Sequence, residues 1–320
     1  MKQLQFCGVI AAAAACGIAT TPRAAMAHGF EGDRFFPPTI QTDDPFAVDE
    51  LSLPTVQEFQ DPPGPGGGPR TREMDYGAEF DKEIFPGFDL EFSDVFTTLN
   101  PKVGHSANGF QNFVLGWKYE LVQIPDHEFI FSIGTEWAIG GTGGQSIGAD
   151  SFSTFTPTLY AGKGFGDLPD SVPMLKPFAL TGILGEDLPT EAQDPNALEW
   201  GFALEYSLLY LEQNVKDTGM PQPFRNMIPL VELAMQSPQN RNGGVTTGTV
   251  NPGVLWETRF CQFGAEAVIP INRHSGATVG FVFNVNIFFD DMWPKLFGHP
   301  LFGGGSGNAA QGSSSPVSAK

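Results

Sequence analysis

Residues 112–121, NFVLGWKYEL, alternate between two kinds of side chain. Every second residue is large and apolar, namely Phe113, Leu115, Trp117, Tyr119 and Leu121. The residues between them include Asn112, Gly116, Lys118 and Glu120, which are small or polar. Successive side chains of a β-strand point to opposite faces, so a period of two is typical of a strand. The stretch therefore predicts a strand with one apolar face and one polar face.

The same alternation recurs along the chain. It resumes over 128–140 after a break at Pro125 and Asp126, and it returns over 198–211 and 278–289. These runs are longer than the five or six residues of a usual globular strand. A strand that crosses a bilayer at a tilt needs about nine to eleven residues. The run lengths therefore favour strands that cross a membrane.

Twelve candidate strands can be placed, with short and long connections between them. Their ranges are 51–60, 72–84, 88–99, 110–122, 128–140, 152–165, 176–186, 198–211, 227–237, 247–258, 260–271 and 278–289. An even number of alternating strands predicts an all-β fold, an antiparallel up-and-down transmembrane β-barrel of about 12 strands. The link at 212–226 is longer than a short turn of such a barrel should be.

Composition supports this fold class. The chain has 39 Gly and 27 Pro among 320 residues, without the strict glycine period of collagen. Its mean hydropathy of -0.10 excludes a bundle of membrane helices, but it fits strands with one apolar and one polar face. Several glycines lie on the polar face of the strands, where a curved wall with a crowded interior needs small residues. They are Gly116, Gly134, Gly162, Gly201, Gly253, Gly264 and Gly280.

Residues 1–27 have the features of a secretory signal peptide. Lys2 precedes an apolar run, and Ala25-Met26-Ala27 forms an A-x-A cleavage site, so we expect Sec-type cleavage near Ala27. Lipid attachment at Cys16 is a less favoured alternative. Cleavage removes two basic residues and no acidic ones, which takes the net charge from -19 to -21 and argues against a nucleic-acid partner. Cys261 would then be the single cysteine, as in many bacterial outer-membrane proteins.

The mature chain divides into three parts. Residues 28–50 are acidic and contain proline without a clear period, which predicts an irregular N-terminal arm. The β-barrel is expected over 51–289. Residues 290–320 form a C-terminal extension, and its Gly-, Ser- and Ala-rich end from Phe302 predicts a disordered tail.

Five stretches carry a resemblance to a known group of proteins. They are FFPPTIQTDDPFAVDELSLPTV (35–56), GADSFSTFTPTLYAGKGFGDLPDS (148–171), EWGFALEYSLLYL (199–211), TTGTVNPGVLW (246–256) and FFDDMWPKLFGHPLF (288–302). The chain resembles an uncharacterised bacterial outer-membrane β-barrel family, transporter-like and loosely similar to the barrel family of the phenol-degradation meta-cleavage pathway. This resemblance implies an outer-membrane barrel that passes small, including apolar, molecules. It implies no catalytic or binding positions, and the tail departs from porins, which end on a terminal aromatic residue.

Glutamates on the polar faces are the candidate lumen-lining residues. If Trp117, Trp137, Trp200 and Trp256 face lipid, then the lumen receives Glu136, Glu205, Glu257 and Glu266. Glu232 also faces the lumen if its neighbours Pro229, Val231, Leu233 and Met235 face outward. An acidic lumen would favour cations over anions. Alternatively, these glutamates pair with Lys118, Lys163 and Arg259 in a structural polar network.

Catalysis is not indicated by any motif. The sequence has no G-x-S-x-G, P-loop or dinucleotide fingerprint, and its five histidines lack metal-site spacing. His28 is one exception to consider, because a mature N-terminal histidine offers an amine and an imidazole to a copper ion. We therefore predict no enzyme activity and no cofactor, with His28 as a less favoured metal ligand.

Three functional hypotheses follow. The leading one is an outer-membrane channel or facilitator, whose partners are outer-membrane lipid and a small-molecule permeant that diffuses through the acidic, glycine-lined lumen. The arm at 28–50 or the long loops would constrict this lumen. The second is a secreted soluble β-sandwich that binds a ligand. The third is a periplasmic copper-binding protein organised by His28.

Overall fold

The computed structural model describes residues 34–61, 70–239 and 243–303, and these residues form a closed antiparallel β-barrel. The strands are β1 (Glu50–Gln60), β2 (Thr71–Phe85), β3 (Phe88–Pro101), β4 (Ala107–Phe110), β5 (Val114–Ile124), β6 (Phe129–Ala138), β7 (Thr154–Gly164), β8 (Phe178–Pro189), β9 (Ala197–Tyr206), β10 (Met227–Pro238), β11 (Thr247–Glu257), β12 (Cys261–Pro270) and β13 (Gly280–Phe288). The predicted signal peptide and His28 lie outside the described residues.

Neighbouring strands along the chain pair with each other, and β13 pairs with β1 to close the barrel. The short strand β4 and the following β5 both pair with β3, at its two ends, so together they occupy one position in the wall. The barrel therefore has twelve strand positions. The predicted all-β, up-and-down barrel of about 12 strands is confirmed.

Helical segments are short. They comprise two helices, Leu208–Tyr210 and Phe289–Met292, a π-helical turn at Leu211–Val215, and 3-10 turns at Pro125–His127, Gln145–Ile147, Pro173–Leu175 and Phe224–Asn226. No helix within the described residues is long and apolar enough to cross a membrane.

The outer face of the barrel is apolar. Every strand except β11 places at least one large, exposed apolar side chain on this face. We call this set the apolar belt, and it includes Leu53, Tyr76, Phe92, Phe110, Trp117, Trp137, Leu159, Leu184, Phe202, Val231, Ile269 and Phe281. The alternate side chains point inward, which is the two-faced pattern that the sequence predicted.

One strand ends earlier than its sequence pattern suggests. Alternation predicted a strand through Leu211, but β9 ends at Tyr206. Ser207 then accepts a hydrogen bond from the backbone N–H of Tyr210 at 3.0 Å, which caps a short helix. The apolar residues Leu208 and Tyr210 belong to this short helix, so assigning them to the strand was wrong.

The first strand begins and the last strand ends at the same end of the barrel, which we call the termini end. β1 starts there at Glu50 and β13 finishes there at Phe288. The connections at 86–87, 125–128 and 258–260 on this end are tight, whereas those at 165–177 and 207–226 are long. The opposite end carries the loops that follow β1, β3, β6, β8, β10 and β12.

The chain after β13 packs on the outside of β2. The Phe289 ring contacts the Phe80 ring on the outer face of β2, with their centroids 6.1 Å apart. It also contacts the Phe297 ring, with their centroids 4.9 Å apart. The backbone N–H groups of Leu301 and Phe302 donate to carbonyl oxygens near the end of β2, at 3.1 and 2.8 Å. These contacts hold the extension against the termini end of the wall. The tail was predicted from Phe302, which instead bonds to β2, and the rest of the tail from residue 304 lies outside the described residues.

Candidate functional site in the barrel lumen

Residues 34–49 lie inside the barrel, and we call this segment the plug. It contains no regular helix or strand, yet Arg34, Phe36 and Phe46 are 0%, 1% and 2% exposed. The two phenylalanine rings lie 5.0 Å apart and pack against Ile130 of β6 and Ala179 of β8. The lumen is therefore filled on one side by a folded segment of the same chain.

The plug is anchored where it enters at the termini end. The Arg34 guanidinium donates to Glu50 at 2.8 Å and to Asp290 at 3.3 Å, and it lies 4.6 Å from the centre of the Phe288 ring. At the other end of the plug, Asp49 pairs with Lys82 at 2.7 Å. Charged pairs with this little exposure are costly to break, because removing one partner leaves a buried charge uncompensated.

Glu232 of β10 holds the far tip of the plug. Its carboxylate accepts hydrogen bonds from the backbone N–H groups of Ile40 (2.7 Å), Gln41 (2.9 Å) and Thr42 (2.6 Å). The side chain is 0% exposed. Buried N–H groups of an irregular segment need partners, and a carboxylate is a strong acceptor. One residue of the wall thus satisfies three consecutive amides of the plug.

Other wall residues fix the plug between its anchor and its tip. Gln262 of β12 donates through its side-chain amide to the Pro38 carbonyl at 2.9 Å. The backbone N–H of Ala47 donates to the Glu120 carboxylate at 2.9 Å. Lys118 of β5 pairs with Asp43 at 3.0 Å. The plug is therefore bonded to both sides of the wall.

Inward-facing glycines make room for the plug. A Cβ at Gly162 would lie 2.2 Å from Cζ of Phe36, and a Cβ at Gly264 would lie 2.3 Å from Cδ1 of Ile40. Real Cβ atoms do not approach other atoms this closely. The sequence placed both glycines on the crowded polar face, and at these positions the crowding partner is the plug.

Substitution Gly162→Ala should loosen the plug, because the added methyl group overlaps the tightly packed Phe36 ring. Overpacking of this kind costs roughly 1–3 kcal/mol. We expect a lower thermal unfolding midpoint in detergent for this variant. Gly77→Ala is the matched control, because Gly77 also faces the lumen but its nearest neighbour would lie at an ordinary 3.5 Å. Equal midpoints for the two variants would contradict the role assigned to Gly162.

The structure separates the predicted lumen glutamates into two groups. Four of them lie on β9 to β12 and are at most 4% exposed, namely Glu205, Glu232, Glu257 and Glu266. Glu136 of β6 lies elsewhere and lines a cavity. Of the basic residues considered as partners, Lys118 pairs with Asp43 and Lys163 pairs with Asp167.

Sequence reasoning missed the acidic residues of the neighbouring strands. Carboxylates of β2 and β3 face the lumen, and they are Glu79, Asp81, Asp89 and Glu91. The signal was present, since Glu73, Asp75, Gly77, Glu79, Asp81 and Glu83 occupy every second position of β2. The tryptophans that oriented β5, β6, β9 and β11 have no counterpart in β2 and β3.

Two cavities lie between the plug and the wall, and the strands that line the larger one are β1, β2, β3, β6 and β13. The larger one has a volume of about 270 Å³ and lies beside the plug tip, and its carboxylate lining consists of Asp43, Asp44, Glu50, Glu79, Glu91 and Glu136. The other has a volume of about 230 Å³ and lies near the termini end, where Asp49, Glu83, Glu120 and Asp290 line it. Both cavities therefore have a strongly acidic lining.

Metal binding finds no support in the described residues, where no group of three or more His, Cys, Asp or Glu is arranged to hold a metal ion. The larger set of acidic side chains is spread along the cavities instead of converging on one point. His28, the metal ligand considered from the sequence, lies outside the described residues.

Comparison with known proteins finds likeness in structure only. No family model matches the chain, and no curated protein matches it. An outer-membrane channel from Pseudomonas putida F1 is 11% identical with a TM-score of 0.49, covering 79% of this chain and 98% of that chain. The NanC porin is 10% identical with a TM-score of 0.45, and the KdgM porin is 11% identical with a TM-score of 0.41; each covers 74% of this chain and 98% of its own.

Proposed function

We propose that this protein is an outer-membrane β-barrel channel or facilitator that passes small molecules by diffusion through an acidic, glycine-lined lumen. The plug narrows that lumen, and the cavities beside it are the remaining space. The proposal includes no chemical step and no cofactor.

The apolar belt is the observation that carries this proposal. Monomeric soluble proteins rarely expose contiguous apolar patches larger than a few hundred Å². Here exposed Leu, Phe, Trp and Tyr side chains surround the barrel on nearly every strand. A lipid environment accounts for such a surface, because lipid-facing positions of membrane barrels are apolar.

The polar interior supports the same conclusion. Buried inward-facing residues include Thr181, Glu205, Asn251, Gln262, Asn284 and Asn286. A β-sandwich would bury apolar side chains between two sheets, so the closed barrel with a polar interior replaces the β-sandwich expected under the second hypothesis. Membrane barrels combine an apolar outside with a polar inside.

Orientation follows from the position of the chain ends. Outer-membrane barrels generally keep short turns on the periplasmic side. We therefore assign the termini end to the periplasm, so that the plug enters from that side after cleavage of the signal peptide near Ala27. The resemblance to an uncharacterised outer-membrane barrel family supports small molecules, including apolar ones, as compounds to assay.

Membrane fractionation and gel mobility test this proposal. We expect the protein in the outer-membrane fraction, with faster mobility on SDS gels before boiling than after, because detergent-resistant barrels stay folded without heating. Recovery as a soluble periplasmic monomer would contradict the assignment.

Substitution Phe202→Arg sharpens this test. Phe202 is 43% exposed on the outer face of β9, and an arginine near the bilayer midplane costs a membrane barrel roughly 2–4 kcal/mol. In a soluble barrel an exposed substitution would change stability by less than about 0.5 kcal/mol. We expect reduced folding into vesicles, measured by the unboiled gel band. Val245→Arg, in a loop at the opposite end and 52% exposed, is the control that should fold normally.

A further inference from the structure

The cavity of about 270 Å³ beside the plug tip is strongly one-sided in charge. Six carboxylate side chains line it, and within the described part of the chain no lysine or arginine does. Two of these carboxylates are already paired, Glu50 with Arg34 and Asp43 with Lys118. Uncompensated carboxylates in a confined, partly desolvated space favour entry of a cation.

Three carboxylates of the wall remain without a basic partner. Glu79 of β2, Glu91 of β3 and Glu136 of β6 form no ion pair with any described residue. Glu91 accepts a hydrogen bond from the Ser93 hydroxyl at 3.2 Å, a neutral donor that supplies no positive charge. All three line the same cavity. They provide a negative surface opposite the plug.

Asn286 adds a second kind of acceptor to this cavity. Its side chain lines the cavity and is 2% exposed, and its amide oxygen accepts no hydrogen bond from the described residues. Buried polar atoms normally have a partner, so an orphaned carbonyl oxygen indicates a missing donor. The neighbouring amide of Asn284 donates to the Thr55 hydroxyl at 2.8 Å. The cavity thus offers mostly acceptors.

We propose that this cavity binds small organic cations that carry N–H donors, with primary amines and diamines as the class that fits. An ammonium group supplies positive charge for the carboxylates and several donors for acceptors such as the Asn286 oxygen. The volume corresponds to roughly nine water molecules at about 30 Å³ each, which suits a short amine. The inference rests on the proposed channel function and names the permeant class for the same lumen.

Equilibrium binding tests the site independently of conduction. The probe is 1,4-diaminobutane, titrated calorimetrically into the full mature protein in detergent micelles, with folding checked by unboiled gel mobility. 1,4-Butanediol is the uncharged comparison ligand. We expect the diamine to bind and the diol not to bind. A folded wild-type protein that does not bind the diamine overturns the proposal.

Variants at the cavity locate the binding. Glu79→Gln combined with Glu91→Gln should weaken diamine binding by at least about tenfold, since each substitution removes a carboxyl group that can pair with an ammonium group. Glu136→Gln, on another strand, should weaken binding even if the double variant fails to fold. The control pair Glu191→Gln and Asp194→Asn removes two charges from an exposed loop at the opposite end and should leave affinity unchanged.

Two results would overturn the site or the channel separately. Equal weakening by the cavity pair and the loop pair would show that overall charge attracts the diamine, and it would overturn the cavity as its site. Diamine binding without conductance in planar bilayers would leave the site in place and would contradict the channel function. Conductance without diamine binding would leave the channel function in place and would contradict the diamine site.

Discussion

Deletion of residues 34–47 should raise the single-channel conductance several-fold while the barrel stays folded. The deletion removes nearly the whole plug but none of the paired strands, which begin at Glu50. A barrel of eight strands is just wide enough for its own side chains to fill it, so twelve strand positions leave room for an aqueous path once the plug is gone.

The anchor at the start of β1 should survive this deletion. Asp49 remains in the shortened chain and keeps its ion pair with Lys82. Its carboxylate also still accepts a hydrogen bond from the backbone N–H of Glu83 at 2.6 Å. Glu232 and Glu50 lose their plug partners, but water that enters the emptied lumen can solvate both carboxylates. The wall therefore loses contacts without retaining buried, uncompensated charges.

Planar-bilayer recording measures the expected increase. Deletion of residues 305–318, an equally long segment outside the described residues, is the control and should leave conductance at the wild-type level. A plug deletion that folds, as shown by the unboiled gel band, and still conducts like the wild type would contradict the assignment of residues 34–49 as the main obstruction.

Strands were predictable because their signal is local. A wall between lipid and a polar lumen forces alternation, and the run from Phe113 to Leu121 shows it within ten residues. The β2 strand shows how such a pattern can be read incompletely. Its bounds were nearly correct, but its acidic alternation was not recognised as a lumen face, although Glu79 and Asp81 face inward there.

The sequence predicted that the arm at 28–50 or the long loops constrict the lumen, but it could not decide between them or give the path of the plug. Residues 34–49 have no period, and the contacts that place them are distant along the chain, such as the bond from Ile40 to Glu232 over 192 residues. Glutamates of β10 and β12 were expected to face the lumen, but whether such a side chain meets water or backbone depends on the path of this segment. That path is a property of the folded barrel, and no single stretch of sequence contains it.

Substitution Glu232→Gln should release the plug tip and increase both the mean conductance and its fluctuations. The carboxylate now accepts three backbone N–H groups, and an amide of the same shape offers one oxygen and a nitrogen that repels those donors. Leaving a buried donor unsatisfied costs roughly 1–3 kcal/mol for each lost bond. The wall should stay folded because the strand pairings of β10 involve backbone groups only.

Glu205→Gln is the matched control for this variant. Glu205 lies on the adjacent strand β9 and is 1% exposed, and its carboxylate oxygens accept no hydrogen bond from the described residues. Both variants replace a buried carboxyl group by an amide of the same shape, but only Glu232→Gln removes acceptors from the plug. Larger, noisier currents from Glu232→Gln alone would show that hydrogen bonds to the backbone of residues 40–42 retain the plug. Equal currents from the two variants would instead assign its retention to the charge of the surrounding acidic wall, and Glu232 would lose its special role.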